Sequence, residues 1–263
     1  MITEVKDLNF SYSEKPILRE VSFRLDEGEA VSVLSPNGGG KTTLFRCILG
    51  IHRNYGGTIS MDGKDTRGFS NPLLARHVAY VPQAHYPAFN YSVLDMVLMG
   101  TAPLLGSAQL PGRDEYEKAR QALDRLAIRH LEQRGFIRLS GGEQRLVLIA
   151  RALTRQAPMM ILDEPTAELD IGNQHLVLSQ VRSLRNQGLT ILFSTHDPAQ
   201  AYHYSDRVLA LSGGRLLMEG KPQEVICPPV LHELYRINAS VVPLEDGHIH
   251  ISVDPQQRKE PAK

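Results

Sequence analysis

The stretch Leu34–Phe45, "LSPNGGGKTTLF", decides how this chain is read. It follows an apolar strand-like run, "AVSVL" (Ala30–Leu34), and leads into "KTTLFRCILG", where Leu44, Ile48 and Leu49 share one helical face and Gly50 can close the helix. Strand, glycine loop and helix in that order aim a run of backbone N–H groups and a positive helix end at one point, which suits a phosphate. In the pattern G-x-x-x-x-G-K-[ST], Gly38, Gly39 and Gly40 supply backbone freedom, Lys41 reaches the β- and γ-phosphates, and Thr42 offers a hydroxyl to Mg²⁺. Asn37 and Thr43 belong to the same cradle, and the expected ligands are ATP and Mg²⁺. Ser35 stands where the pattern has its first glycine. If that position needs a positive φ, a serine there costs roughly 1–2 kcal/mol. The plain alternative is a glycine-rich turn before an ordinary helix.

Outward from this loop, "MMILDEP" (Met159–Pro165) is an apolar strand ending in two carboxylates, placed where parallel sheets bind their ligands. Asp163 would hold Mg²⁺ through a water, and Glu164 would act as general base, or polarise the water, for attack on the γ-phosphate. A strand ending in DE serves equally well as an N-cap, so its weight comes from the company of "GGGKTT". A helical stretch, "NQHLVLSQVRSLRNQG", separates "MMILDE" from "LTILFST" and predicts a parallel sheet. Before the loop, "EVKDLNFSY" and "REVSFRLDEGEAVSVLSP" alternate around Asp26–Gly28 and predict antiparallel strands. From Ala84 to Gln156 the texture is helical, as in "DEYEKARQALDRLAIRHL" with Tyr116, Ala119, Leu123, Leu126 and Ala127 at helical spacing. "RVLALSGGRLLMEG" predicts a hairpin turning at Gly213 and Gly214, and "DPQQRKEPAK" a disordered polar end. The resulting division is a core with its β subdomain over 1–84, a helical insert over 85–156, the rest of the core over 157–240 and a tail over 241–263.

The most specific stretch is "LSGGEQRLVLIARAL" (Leu139–Leu153). Ser140 and Glu143 form an S-x-x-E capping box, leaving the N–H groups of Gly141 and Gly142 open to an anion. A well-capped helix accounts for every feature except the paired glycines, which weaken a first turn unless something approaches their backbone closely. The chain resembles the ATP-binding subunit of an ABC transporter, whose signature is LSGGE, over nearly its whole length and in the family's motif order. The resemblance implies an α/β fold: a P-loop NTPase (RecA-like) core, an N-terminal antiparallel β subdomain and an inserted α-helical subdomain. It makes Tyr12 in "NFSYSEKP" the aromatic that stacks on adenine and Gln83 in "YVPQ" a nucleotide contact and a Mg²⁺ ligand beside Thr42 and Asp163. His196 in "LFSTHDP" becomes a γ-phosphate contact that joins Glu164 and Lys41 in catalysis. It also implies a head-to-tail homodimer in which Ser140, Gly141 and Gly142 of one copy face the ATP held by the other. "AELD" resembles the family's D-loop, with Asp170 in place but Glu168 where a small residue is usual. The remaining histidines, including His248 and His250, are taken as surface residues rather than metal ligands.

Lys plus Arg and Asp plus Glu both number 29 among 263 residues, so the chain carries no basic excess for nucleic acid, which is excluded as a partner. Cys47 and Cys227, far apart, read as free thiols in a reducing compartment. There is no signal-peptide pattern and no run near the roughly 18 apolar residues of a membrane span. The expected location is the cytoplasmic face of a cell membrane, peripherally, with the helical insert contacting a separate integral permease and a solute-binding protein completing the system. "AFNYSVLDMVLMG" and "GKPQEVICPPVLHELYRI" resemble ATPases of importers for iron chelates, haem, cobalamin or molybdate. The competing class is a soluble ABC ATPase acting on nucleic acid or the ribosome. One motif set, no heptad run and no charge excess weigh against it. A P-loop kinase or GTPase would leave "LSGGEQ" and "STHD" without a purpose.

Overall fold

The structure, a computed structural model, describes residues 1–83, 89–104, 110–245 and 247–254. The chain opens with two long strands, β1 (Thr3–Tyr12) and β2 (Lys15–Leu25), paired antiparallel. Val5, Leu8 and Phe10 of β1 are buried between exposed neighbours, and the register shifts between Val5 and Leu8, where Asp7 has φ 49°. The core begins at β3 (Ala30–Leu34) and α1 (Lys41–Ile48), returns to the β subdomain through β4 (Gly56–Met61) and β5 (Lys64–Asp65), and re-enters through α2 (Asn71–His77) and β6 (Val78–Val81). The helical insert then contributes α3 (Val93–Leu98), α4 (Arg113–Arg125) and α5 (Gly141–Leu153), and the core resumes with β7 (Met159–Leu162), α6 (Ile171–Asn186), β8 (Thr190–Thr195) and α7 (Pro198–Tyr204). A hairpin of β9 (Arg207–Ser212) and β10 (Arg215–Gly220), turning at Gly213 and Gly214 with φ 55° and 78°, precedes α8 (Pro222–Val225), α9 (Pro228–Tyr235), β11 (Ala239–Pro243) and β12 (Ile249–Val253).

Among the described residues the strands form three sheets: β2-β1-β4-β5, β10-β9-β3-β8-β7-β6, and β11-β12. In the six-stranded sheet all neighbours pair parallel except β9 and β10. Every residue of β3, β7 and β8 is buried, as expected of strands covered on both faces. Successive side chains divide between those faces: Met159 and Ile161 join the core beneath the antiparallel sheet with α1, whereas Met160 and Leu162 join the core shared with α3, α4, α5 and α6. A third, smaller core gathers Leu34, Ala201, Val208, Leu234 and Ile249. The parallel pairing delivers the C-terminal ends of β3, β6, β7 and β8 to one edge of the sheet.

The reading of 241–263 as a tail needs correction. β11 and β12 pair antiparallel, and Ile249 is buried against β9 and α7. Short, mostly exposed strands give little apolar signal, and only Ile249 is buried, with Val241 and Ile251 partly buried beside it. The polar end is described only as far as Asp254, and the start of the helical insert, 84–88, also lies outside the described residues.

Candidate functional site

At the end of β3 the chain turns through Gly38 (φ 79°) and Gly40 (φ 101°), backbone conformations that favour glycine, and enters α1. Gly40 is the N-cap of α1 and supplies no side-chain acceptor, whereas α2, α3, α5, α6 and α7 are capped by Ser70, Ser92, Ser140, Asp170 and Asp197. The first amides of α1 therefore have no side-chain cap and open on the loop. Ser35 is not among the residues with positive φ, so the strain expected there is absent. Its hydroxyl instead occupies the place a Cβ on Gly39 would need, and Gly39 itself has no positive φ. The middle glycine is required by packing rather than by backbone freedom. Asn37 to Thr43, with Ile17, Gln83 and Glu164, line a cleft of about 380 Å³.

Glu164 lines the cleft, and Asp163, buried, is bonded to the Thr42 that lines it. Thr42 Oγ1 donates to Asp163 Oδ2 at 2.9 Å, and Ser194 Oγ donates to Asp163 Oδ1 at 2.8 Å while accepting the Glu164 N–H at 2.8 Å. One serine at the end of β8 thus holds the Asp163 carboxylate and the Glu164 backbone. The Tyr80 hydroxyl lies 3.5 Å from Asp163 Oδ2, and its pKa is pushed up to about 12, chiefly by burial and then by the charge of Asp163. Glu164 holds a left-handed backbone with φ 43°, a strained conformation of the sort concentrated at functional sites. Its Oε1 pairs with Lys41 Nζ at 3.2 Å, and its Oε2 accepts from Gln83 Nε2 at 3.3 Å. His196 Nδ1 stands 3.8 Å from Oε2, beyond hydrogen-bond range. Lys41 also donates to the carbonyl oxygens of Ser35 at 2.8 Å and Pro36 at 3.1 Å. The structure thus brings Lys41, Thr42, Gln83, Asp163, Glu164 and His196 together. The oxygens of Thr42, Asp163 and Gln83 are the hard donor set that Mg²⁺ takes.

Sequence reasoning missed several supports. Arg145 of α5, buried, donates to Pro82 O at 2.8 Å and Gln83 O at 2.6 Å, fixing the turn that carries Gln83. Gln200 Oε1 accepts from Thr166 Oγ1 at 2.9 Å and Thr195 Oγ1 at 3.1 Å, and its Nε2 donates to Gln174 Oε1 at 3.1 Å. The Tyr235 hydroxyl donates to His196 O at 2.8 Å. Only the dipeptide position of Ser194, two residues before His196 at a strand end, left any mark in the sequence.

Tyr12 lies outside the lining of the cleft, 42% exposed, in an aromatic group with Phe10 and His52. Its hydroxyl is 2.7 Å from His52 Nε2, and the His52 ring stacks on Phe10 with centroids 4.6 Å apart. Burial, and then the charge of Arg46, lower the His52 pKa.

Ser140, Gly141 and Gly142 line no part of the cleft. The capping box forms: Ser140 Oγ accepts from Glu143 N at 3.3 Å and Glu143 Oε2 accepts from Ser140 N at 2.8 Å. A close approach to the glycines exists within the chain itself. A Cβ at Gly141 would press on Leu169, and one at Gly142 would overlap the side chain of Asn173. Asn173 in turn is held by Asp170, whose carboxylate accepts its N–H at 2.8 Å and its amide Nδ2 at 2.7 Å.

Residues 18–167 match the protein family described as ABC transporter. An uncharacterized ABC transporter ATP-binding protein of Haemophilus influenzae is 38% identical over 242 residues, 92% of either chain. An iron chelatin transport ATP-binding protein of Helicobacter pylori is 37% identical over 237 residues, 89% of this chain and 93% of that one. Among solved structures, a metal-chelate type ABC transporter in an inward-facing conformation is 32% identical with a TM-score of 0.85, covering 97% of this chain and 98% of that one.

Proposed function

This chain belongs to the ABC transporter family and is an ATPase, and from that premise we propose that it drives import of a metal chelate or related nutrient through a separate membrane permease. The observation that carries the ATP site is the uncapped start of α1 inside a glycine loop, with Lys41 and Glu164 facing it and Asp163 bonded to Thr42. The amides of Gly38 to Thr42 and the Lys41 ammonium receive the β- and γ-phosphates; Asn37 and Thr43 complete the cradle, and Tyr12 offers its ring to the adenine. Thr42, Asp163 and Gln83 would hold Mg²⁺, which when bound neutralises phosphate charge. Glu164 takes a proton from the attacking water, and His196 contacts the γ-phosphate. Ser140, Gly141 and Gly142 of a second copy close over the nucleotide, making a homodimer the active unit.

The import reading rests on the names of the relatives and on the chain's likeness to a metal-chelate type transporter. Among the described residues no helix is long and apolar enough to cross a membrane. We assign the membrane path to an integral permease, with a solute-binding protein as a further component and the ATPase held peripherally at the cytoplasmic face. Glu164→Gln is expected to keep ATP affinity, lower turnover roughly 100- to 10,000-fold and accumulate an ATP-bound dimer on sizing chromatography. Turnover at the wild-type rate would refute the base assignment. Affinity purification from membranes tests the transport reading: a co-purifying multispan protein supports it, and ribosomes or DNA would support the competing class.

A further inference from the structure

We propose that Tyr235 is a positioning residue for His196: its hydroxyl fixes the peptide that carries the histidine, and so makes the C-terminal helix α9 a working part of the hydrolytic site. His196 falls between two elements, one residue past Thr195, the last of β8, and one before Asp197, the N-cap of α7. Among the described residues its carbonyl accepts from one donor, the Tyr235 hydroxyl at 2.8 Å. The Asp197 N–H of the same peptide unit donates to Thr195 Oγ1 at 3.0 Å. Both polar atoms of that unit are thus held by side chains rather than by a strand or a helix. The imidazole itself is 55% exposed and its Nδ1 stands 3.8 Å from Glu164 Oε2, so its aim comes from its backbone and not from a hydrogen bond of its own ring.

A tyrosine suits this task because a rigid ring with few torsions carries its hydroxyl to a fixed place. Tyr235 ends α9, and its ring packs against the core that holds Leu34, Val208 and Leu234. Leu34 is the residue before Ser35, so one core seats both the start of the phosphate loop and the ring that holds the His196 peptide. The end of α9 is closed in its turn: Arg236 takes the left-handed conformation with φ 56° and donates its N–H to His232 O at 2.8 Å. Burial, and then the charge of Asp197, push the Tyr235 pKa up, so the hydroxyl keeps its proton and remains a donor.

Resting on the assignment of His196 to the γ-phosphate, the role of Tyr235 is to keep that contact aimed. Without the hydroxyl the His196 carbonyl loses its partner and the peptide gains freedom to rotate. A displacement of about 1 Å at a group that meets the reacting phosphate costs on the order of 100-fold in rate at most. ADP has no γ-phosphate, so its affinity does not sense the change. A hydroxyl that served stability alone would act on every nucleotide alike.

The test uses the full chain with Mg²⁺ and three readings: ATP turnover, affinity for a β,γ-imido ATP analogue, and affinity for ADP. Tyr235→Phe, which keeps the ring, should lower kcat roughly 5- to 30-fold and weaken the analogue roughly 3- to 10-fold, while ADP stays within about twofold. His196→Ala should lower turnover and analogue affinity at least as much, and adding Tyr235→Phe to it should change analogue affinity by no more than about twofold. Tyr204→Phe, which removes a hydroxyl bonded to His175 instead, should leave all three readings unchanged. If His196→Ala turns over at the wild-type rate, the γ-phosphate assignment falls and takes this role with it. If His196→Ala behaves as stated, the assignment stands, and the positioning role alone is overturned by any of three results: a silent Tyr235→Phe, an ADP loss equal to the analogue's, or a full further loss on top of His196→Ala.

Discussion

Ser35 and Gly39 compete for one space in the phosphate loop. Ser35 is fully buried and its hydroxyl donates to Pro36 O at 3.3 Å, so a Cβ at position 39 has nowhere to go. Gly39→Ala should therefore destabilise the loop and weaken ATP binding, by about 1–3 kcal/mol for overpacking. Ser35→Gly alone should leave ATP affinity within a few-fold. The pair together should recover most of the loss, giving a favourable coupling of about 1 kcal/mol or more when ATP affinity is measured across the double-mutant cycle. Additive losses would show that the two positions are independent. The gathering of Lys41, Thr42, Asp163 and Glu164 was legible in the sequence because each follows closely on a strand end. The serine was misjudged because local spacing speaks of dihedrals and is silent about a neighbour four residues away filling a volume. Ser194, Arg145 and His52 were missed for the same reason: each acts across the fold, Ser194 on a carboxylate 31 residues away and a backbone N–H 30 residues away.

At the scale of elements, helix ends carry the design. α1 begins without a side-chain cap, whereas α5 begins with a full capping box and is approached at Gly141 by Leu169, just before α6, and at Gly142 by Asn173 in the first turn of α6. The glycine pair was legible as a close approach, but its partner was not, since Leu169 and Asn173 meet it only once the parallel sheet is built. The same holds for Gln200, which ties α7 and the end of β8 to the turn after β7 and to α6. Gln200→Ala should lower stability by about 1–3 kcal/mol from its lost hydrogen bonds. It should reduce kcat several-fold with little change in the KM for ATP, because it positions residues beside the cleft without lining it. Thermal unfolding and steady-state kinetics decide this, and an unchanged kcat would confine Gln200 to stability. The helix after Arg113 was legible from its spacing, but Ala127 at φ 57° lies beyond its end at Arg125.

For the whole molecule, the separation of the Ser140 turn from its own cleft is the feature with the widest reach. If each nucleotide is enclosed by two copies, Lys41→Ala and Ser140→Arg chains should each be inactive alone, yet regain turnover when mixed. Half of randomly formed dimers are then mixed and each carries one intact site out of two, so about a quarter of the wild-type rate is expected. Mixed chains that stay silent in an ATPase assay would rule out shared sites. The six-stranded sheet and the helical insert were legible as texture, whereas the pairing of β11 with β12 was not, because its apolar anchors are few: Ile249 buried, with Val241 and Ile251 partly buried.

The pairing of Lys41 with Glu164 has one more consequence. On the proposed roles, the ammonium that receives the phosphates and the carboxylate that activates water hold each other, so a phosphate drawing on Lys41 would also loosen its grip on Glu164. Fuel would thereby release the trigger of the engine that burns it.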